Sequence, residues 1–141
     1  MTTVAYKDGV LAGDTRITCG DLITPERATK VFKLSNGALL GAAGTLRNAH
    51  TLRRAIENGH PLPDVKGVDA VMITPDGTIY CYDRDAWNEI NAPYHAIGSG
   101  CEYAYTALWL GHDAITAVKA GIQFDKNSGG KVMAVRLKEK K

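Results

Sequence analysis

The stretch Met1–Asp14, MTTVAYKDGVLAGD, gives the clearest indication of the fold. Two short apolar runs flank Asp8-Gly9, a dipeptide typical of a tight β-hairpin turn. A hairpin that begins at residue 2 would hold the start of the chain inside a sheet, whereas most chain termini fray. We expect Met1 to be removed, because methionine before a small residue is usually trimmed. Thr2 would then carry a hydroxyl nucleophile and an α-amine base on one residue.

Size and composition limit the possible classes of protein. The 141 residues suit one compact domain, which we place over residues 1–141. A formal net charge of +2 gives no basis for nucleic-acid binding, and no apolar run approaches the length that spans a membrane. We recognise no signal peptide, and three irregularly spaced cysteines favour a reducing, cytoplasmic compartment. The four histidines lack the spacing of metal ligands, so we predict neither a metal nor a cofactor.

The order of the predicted elements favours an α+β fold. After the first hairpin, alternating or buried apolar runs predict strands over 30–34, 38–43, 68–74, 78–82, 94–97 and 131–137. Helices are predicted between Thr45 and Gly59, over 101–110 and over 113–124, and loops over 15–29 and 60–66. Hairpins imply mostly antiparallel sheets, and the segregated helices exclude repeated βαβ units.

Five short motifs follow the start of the chain in a fixed order. They are GDTRITCG at 13–20, ATKV at 28–31, LGAAG at 40–44, IGSG at 97–100 and DKNSGG at 125–130. Each is weak alone, because short glycine and serine motifs are common. Together they resemble the pattern of proteasome β subunits and their bacterial HslV relatives, and the resemblance covers essentially the whole chain.

The resemblance implies an N-terminal nucleophile (Ntn) hydrolase fold, a four-layer αββα sandwich of two antiparallel sheets, and a threonine-type endopeptidase activity. Thr2 would be the nucleophile, Asp14 would hold Lys30 beside its hydroxyl, and the Gly41 N–H would donate to the developing oxyanion. The alternatives from the residues alone are a structural ion pair for Asp14 and Lys30, and turn geometry for Gly41.

The remaining site residues also come from the resemblance. Ser128 and Asp125 would orient the Thr2 amine, with Ser99 nearby in the same hydrogen-bond network. Thr18 would bind the substrate backbone as an added strand. Three further residues would line an apolar pocket for the residue before the cut, or belong to the core instead: Ile17, Ala28 and Phe32.

The sequence departs from the family pattern in one region. Family members generally carry two consecutive helices where we predict one, because a loop at His60–Lys66 replaces the second. The resemblance implies unfolded polypeptide substrates, a homo-oligomeric ring of six or seven subunits and a possible ATP-dependent unfoldase. This chain itself has no GxxxxGK[ST] loop for ATP. The alternatives are a catalytically silent ring or scaffold subunit and a small-amide hydrolase of the same fold.

Overall fold

The computed structural model describes residues 2–138, which form eleven strands and three helices. The strands are β1 (Val4–Lys7), β2 (Val10–Gly13), β3 (Arg16–Cys19), β4 (Leu22–Arg27), β5 (Val31–Lys33), β6 (Leu39–Gly44), β7 (Val68–Ile73), β8 (Ile79–Asp83), β9 (Ala86–Ile90), β10 (Tyr94–Ile97) and β11 (Met133–Arg136). The helices are α1 (Leu46–Glu57), α2 (Cys101–Trp109) and α3 (Ala114–Phe124). Met1, whose removal the sequence predicts, lies outside the described residues.

Two antiparallel sheets face each other across the main core. One has the strand order β10-β1-β2-β11 and the other β5-β6-β7-β8-β9. Successive side chains of β1 point to opposite faces of the four-stranded sheet, and both faces are buried. Val4 and Tyr6 belong to the core between the sheets, whereas Ala5 packs among residues of α2 and α3.

Helices cover the outer face of each large sheet. Small buried side chains such as Ala104 and Ala117 let α2 and α3 pack closely on the four-stranded sheet. On the other side, Leu52 of α1 packs with Ala70 and Tyr82 of the five-stranded sheet. The layer order is helix, sheet, sheet, helix, which confirms the predicted αββα sandwich. None of the helices found within residues 2–138 has the length and apolarity needed to cross a membrane.

Three strands were not expected from the sequence, namely β3, β4 and β9. The predicted loop over 15–29 contains the β3–β4 hairpin, which turns at Gly20 with a φ of +59°. β4 is mostly exposed, so it lacks the hydrophobic alternation that identifies a half-buried strand. β9 was missed for the same reason. The predicted loop over 60–66 is confirmed, since that part of the chain contains no helix.

Candidate active site

Strand register places Thr2 beside the turn that follows β10. β1 pairs with β10 so that Val4 lies opposite Ile97, and the same register brings Thr2 next to Ser99. The Thr2 backbone nitrogen donates to Ser99 Oγ at 3.2 Å, and the Gly100 N–H donates to the Thr2 carbonyl at 3.2 Å. Only 3% of Thr2 is exposed. The structure therefore fixes this residue, which lies near the chain terminus, within a packed strand end.

Asp14 lies opposite Thr3 because the Asp8-Gly9 turn sets the β1–β2 register. The Asp14 carboxylate accepts from three backbone amides, those of Thr3 at 3.0 Å, Arg16 at 3.3 Å and Gly129 at 2.9 Å. It also accepts from Lys30 Nζ, which lies 3.0 and 3.1 Å from its two oxygens. This carboxylate links the first hairpin, the residue before β5 and the loop after α3.

Lys30 is a buried cation in contact with one carboxylate. Burial lowers the pKa of the Lys30 ammonium below its ordinary value, while the charge and hydrogen bonds of Asp14 act in the opposite direction. Lys30 and Thr2 line the same small cavity. A lysine with this environment can share or release a proton more readily than a surface lysine.

A second hydrogen-bond network surrounds Asp125. Its Oδ2 accepts from Ser99 Oγ and from Ser128 Oγ, both at 2.6 Å. Burial opposes ionisation of this carboxyl, but hydrogen bonds from the two serines and from the Asn127 N–H contribute to holding the pKa of Asp125 below its usual value. Because Ser128 gives its proton to Asp125, Thr3 must donate to Ser128 Oγ across their 2.7 Å contact. Ser99 is thus the serine in contact with the Thr2 nitrogen, and Ser128 contacts Thr3.

Arg16 fixes the loop that carries Ser128, and sequence reasoning missed it. Its Nη1 donates to the Lys126 carbonyl at 3.3 Å and to the Ser128 carbonyl at 3.1 Å. The guanidinium packs on Gly129, where a Cβ would lie 2.2 Å from Arg16 Cζ. Any side chain at this position would displace the arginine. The sequence did contain a signal for this role, because an arginine stands two residues after Asp14 in the first motif.

Gly44, rather than Gly41, lines the Thr2 cavity. Gly41 lies between Val31 and Val71 in the sheet, and a Cβ there would be 2.8 Å from Val4 Cγ1, so this residue faces the core between the sheets. The expectation that Gly41 donates to an oxyanion is therefore corrected.

The alternation of backbone amides along β6 explains the role available to Gly44. The Ala42 N–H donates to the Lys30 carbonyl, and the Thr45 N–H donates to the Gly67 carbonyl on the opposite side. The Gly44 amide, two residues after Ala42, accordingly faces the Lys30 side. Gly44 has a φ of +109°, which is why a glycine ends the strand here.

A cleft of about 350 Å³ begins at Thr2 and continues into a side pocket of about 490 Å³. Ile17, Ala28 and Leu46 line both spaces. Thr18 lines the cleft and Phe32 lines the pocket, so the four residues expected to bind substrate lie together around one cavity system. Ile17, Ala28 and Phe32 are half-buried rather than part of the core.

The histidines and acidic residues of the described chain do not form a metal site. No group of three His, Cys, Asp or Glu side chains in that range could hold a metal ion. His95 instead connects the two sheets, with its Nε2 2.8 Å from Cys81 Sγ. The hydroxyl of Tyr105 contacts the other ring nitrogen of His95. Burial lowers the pKa of His95 and raises the pKa of Cys81 to about 11, so this pair is neutral at pH 7.

Residues 1–60 match the family model of the proteasome subunit. Proteasome subunit beta 1 of Thermococcus kodakarensis is 25% identical, over 96% of this chain and 86% of that protein. The resemblance to proteasome β subunits is confirmed.

Solved proteasome-like structures share the fold. The protein BPH of Thiobacillus denitrificans in complex with epoxomicin has a TM-score of 0.67 at 19% identity, over 98% of this chain and 99% of that chain. A second BPH structure has a TM-score of 0.66 at 18% identity, over 99% of both chains. The fold of this chain is accordingly that of the proteasome-like Ntn hydrolases.

Proposed function

We propose that this chain is a threonine-type endopeptidase subunit that hydrolyses peptide bonds of unfolded polypeptides, with Thr2 as the nucleophile. One observation carries the proposal. Thr2 is fixed at the start of β1 and shares a small cavity with Lys30, whose ammonium is held by Asp14. A silent subunit would have no need of a buried ion pair beside a threonine at this position.

The base in this proposal is the nitrogen of Thr2. Removal of Met1 would convert it into an α-amine, whose unperturbed pKa of about 7.7 to 8.0 leaves a useful fraction as free base at neutral pH. This nitrogen lies 3.2 Å from Ser99 Oγ, and Ser99 in turn donates to Asp125. The Asp125 carboxylate is kept ionised by its low pKa, so it would favour the protonated amine that forms during the reaction.

The reaction proceeds through an acyl-enzyme. The Thr2 hydroxyl oxygen bonds to the scissile carbonyl carbon, and its proton passes to the α-amine through a water molecule. The same proton then goes to the leaving amine as the peptide bond breaks, and water hydrolyses the remaining ester. The Gly44 amide faces the side on which the oxyanion would develop, and protonated Lys30 would stabilise negative charge near the hydroxyl.

The substrate would lie in the cleft that begins at Thr2. Thr18 belongs to β3, in a hairpin along this cleft, so an extended peptide could add to it as a strand and be held mainly by its backbone. The residue before the scissile bond would then enter the side pocket lined by Ile17, Ala28 and Phe32.

Assembly into a ring of six or seven subunits is part of the proposal. Several large apolar side chains of α2, α3 and the residue that follows α2 are exposed, and we call them the outer helix face: Tyr103, Trp109, Leu110 and Phe124. Exposed apolar patches of this kind mark interaction surfaces. An ATP-dependent unfoldase could feed such a ring, and the three free thiols fit action in the reducing cytoplasm.

Hydrolysis of fluorogenic peptides by the assembled protein tests this function. We expect Thr2→Ala to abolish hydrolysis, because it removes the nucleophile, and Thr2→Ser to retain part of it. Thr51→Ala changes an exposed threonine on α1 and serves as the matched control. Unchanged hydrolysis in Thr2→Ala would contradict the proposal, and cleavage of small amides without cleavage of peptides would point to the small-amide hydrolase.

A further inference from the structure

The side pocket next to the cleft carries uncompensated positive charge. Its wall contains three basic residues, Arg27, His50 and Arg53, and one acidic residue, Glu26. Glu26 is exposed to solvent, and in the part of the chain that the structure describes neither arginine forms an ion pair. A pocket that the sequence predicts to be apolar is therefore bordered by cations.

Arg53 is the residue whose hydrogen bonds are incomplete. It is half-buried on α1, and its guanidinium carbon lies 4.0 Å from the centre of the Phe32 ring. Its Nε is buried and has no hydrogen-bond partner among residues 2–138. The Nε side of the guanidinium is therefore held away from solvent, and the stacked group lines the wall of the pocket.

Arg27 differs from Arg53 in this respect. The Arg27 Nη1 donates to the carbonyls of Thr24, Pro25 and Glu26 at 3.1 to 3.4 Å, so this arginine is occupied by its own hairpin. Arg53 is thus the arginine in the pocket that remains available for a ligand.

We propose that this pocket selects an acidic side chain, aspartate or glutamate, immediately before the scissile bond, and that Arg53 is the residue that recognises it. The proposal rests on the proposed peptidase function, because it names the substrate class of the same site. A planar guanidinium presents several N–H donors in a fork that matches the two oxygens of a carboxylate. Stacking on Phe32 holds that fork in place, while Ile17 and Ala28 can contact the methylene groups of the ligand.

The pocket also discriminates against the opposite charge. A lysine or arginine side chain entering it would meet Arg53 and Arg27 in a space partly shielded from water, where repulsion between like charges is stronger than in bulk solvent. A leucine could occupy the pocket but would offer no acceptor to the Arg53 guanidinium that lines it. Charge therefore ranks the substrates as acidic first, neutral second and basic last.

Peptide binding tests the proposal without relying on turnover. In the Thr2→Ala background, we compare the Kd of two labelled peptides that differ only in a final Glu or Gln, which have nearly the same shape. Because hydrogen bonds to a charged group are stronger than those between neutral groups, we expect the Glu peptide to bind about ten- to a hundredfold more tightly. Equal Kd values for the two peptides would overturn the proposal.

Two arginine variants assign the effect to one side chain. Arg53→Met keeps a long side chain over Phe32 but removes the charge, and it should abolish the difference between the Glu and Gln peptides. Arg54→Met changes the exposed neighbour on the same helix and should leave the difference intact. A Glu preference that survives Arg53→Met, or that disappears equally in Arg54→Met, would overturn the role of Arg53.

The same two peptides, extended by a fluorogenic leaving group after the Glu or Gln, distinguish failure of this inference from failure of the peptidase function. Protein with an intact Thr2 that cleaves after Glu and Gln at equal rates would refute the acidic pocket and leave the peptidase function standing. Protein that binds the Glu peptide through Arg53 but hydrolyses none of the peptides would support the pocket and refute the peptidase function.

Discussion

Lys30 Nζ lies 3.0 Å from one carboxylate oxygen of Asp14 and 3.1 Å from the other, and both side chains are buried. A buried pair of this kind is not by itself a source of stability, because desolvation of the two charges offsets their attraction. Its position next to Thr2 is more informative than its energy. The pair keeps a cation beside the one hydroxyl that the proposed chemistry requires.

Removal of one partner of this pair should destabilise the fold. Lys30→Ala leaves the Asp14 carboxylate buried without its counter-charge, and we expect the free energy of unfolding to fall by about 3 kcal/mol or more. Urea denaturation measures this change, with Lys119→Ala on the exposed face of α3 as the control. A loss as small as in the control variant would mean that Asp14 does not depend on Lys30.

Acid should weaken the fold partly through Asp125. Hydrogen bonds hold the pKa of this carboxyl below its ordinary value in the folded protein, so the unfolded state takes up its proton first as the pH falls. The contribution of Asp125 is therefore fully present above about pH 4 and is lost as the pH falls through its folded pKa.

Urea midpoints measured from pH 3 to pH 7 test the role of Asp125. We expect Asp125→Asn to show a smaller decline below pH 4 than the unchanged protein. Asp85→Asn, an exposed change in the β8–β9 turn, should follow the unchanged protein. Identical pH profiles for Asp125→Asn and the unchanged protein would contradict the low pKa.

A methyl group on Gly121 should disturb the site from a distance. Gly121 of α3 packs against Thr3, and a Cβ there would lie 2.3 Å from Thr3 Oγ1 and 2.5 Å from its Cγ2. We expect Gly121→Ala to cost about 1 to 3 kcal/mol of stability by overpacking and to lower kcat by displacing Thr2.

A second variant for this test combines Gly121→Ala with Thr3→Ala, which removes the two closest contacting atoms and leaves Thr3 Cβ at 2.8 Å. Stability and peptide hydrolysis should partly recover in the double variant. A double variant that loses as much as the sum of the two single changes would show that Thr3 does not transmit the effect.

The outer helix face should control assembly. Trp109 and Leu110 are 74% and 62% exposed, so changing them to lysine leaves the core of the subunit untouched. We expect Trp109→Lys combined with Leu110→Lys to reduce the molar mass measured by light scattering from that of a ring to that of smaller species. Lys126→Ala alters an exposed charge elsewhere and is the control. An unchanged molar mass would exclude this face from the interface.

The first hairpin shows how much of the site the sequence could predict. The Asp8-Gly9 turn fixes the β1–β2 register, and that register alone places Asp14 opposite Thr3. Lys30 and Ser128 reach the site from distant parts of the chain, and no local pattern brings them there. Their positions were expected only because their motifs resemble those of a known family.

Register also explains the error at the end of β6. Side chains and amides alternate along a strand, so an offset of three residues between Gly41 and Gly44 exchanges the core side for the cavity side. The sequence marks both glycines but does not reveal which of them has a positive φ.

The charge of the side pocket was missed although a signal was present. Leu46, His50 and Arg53 are spaced by four and three residues, which places them on one face of a helix. The predicted pocket residues precede this helix in the chain. If the helix presented that face to the pocket, the pocket would be expected to be basic. Interpretation of Ile17, Ala28 and Phe32 alone suggested an apolar space.

The assignment of Thr2 as the nucleophile is best tested by the intact mass of the purified protein, before and after treatment with a threonine-directed epoxyketone. We expect a mass without Met1, and an increase by the mass of one probe molecule that is absent in Thr2→Ala. A chain that keeps Met1 when produced in its native host, and that gains no probe, would contradict the assignment of Thr2 as the nucleophile.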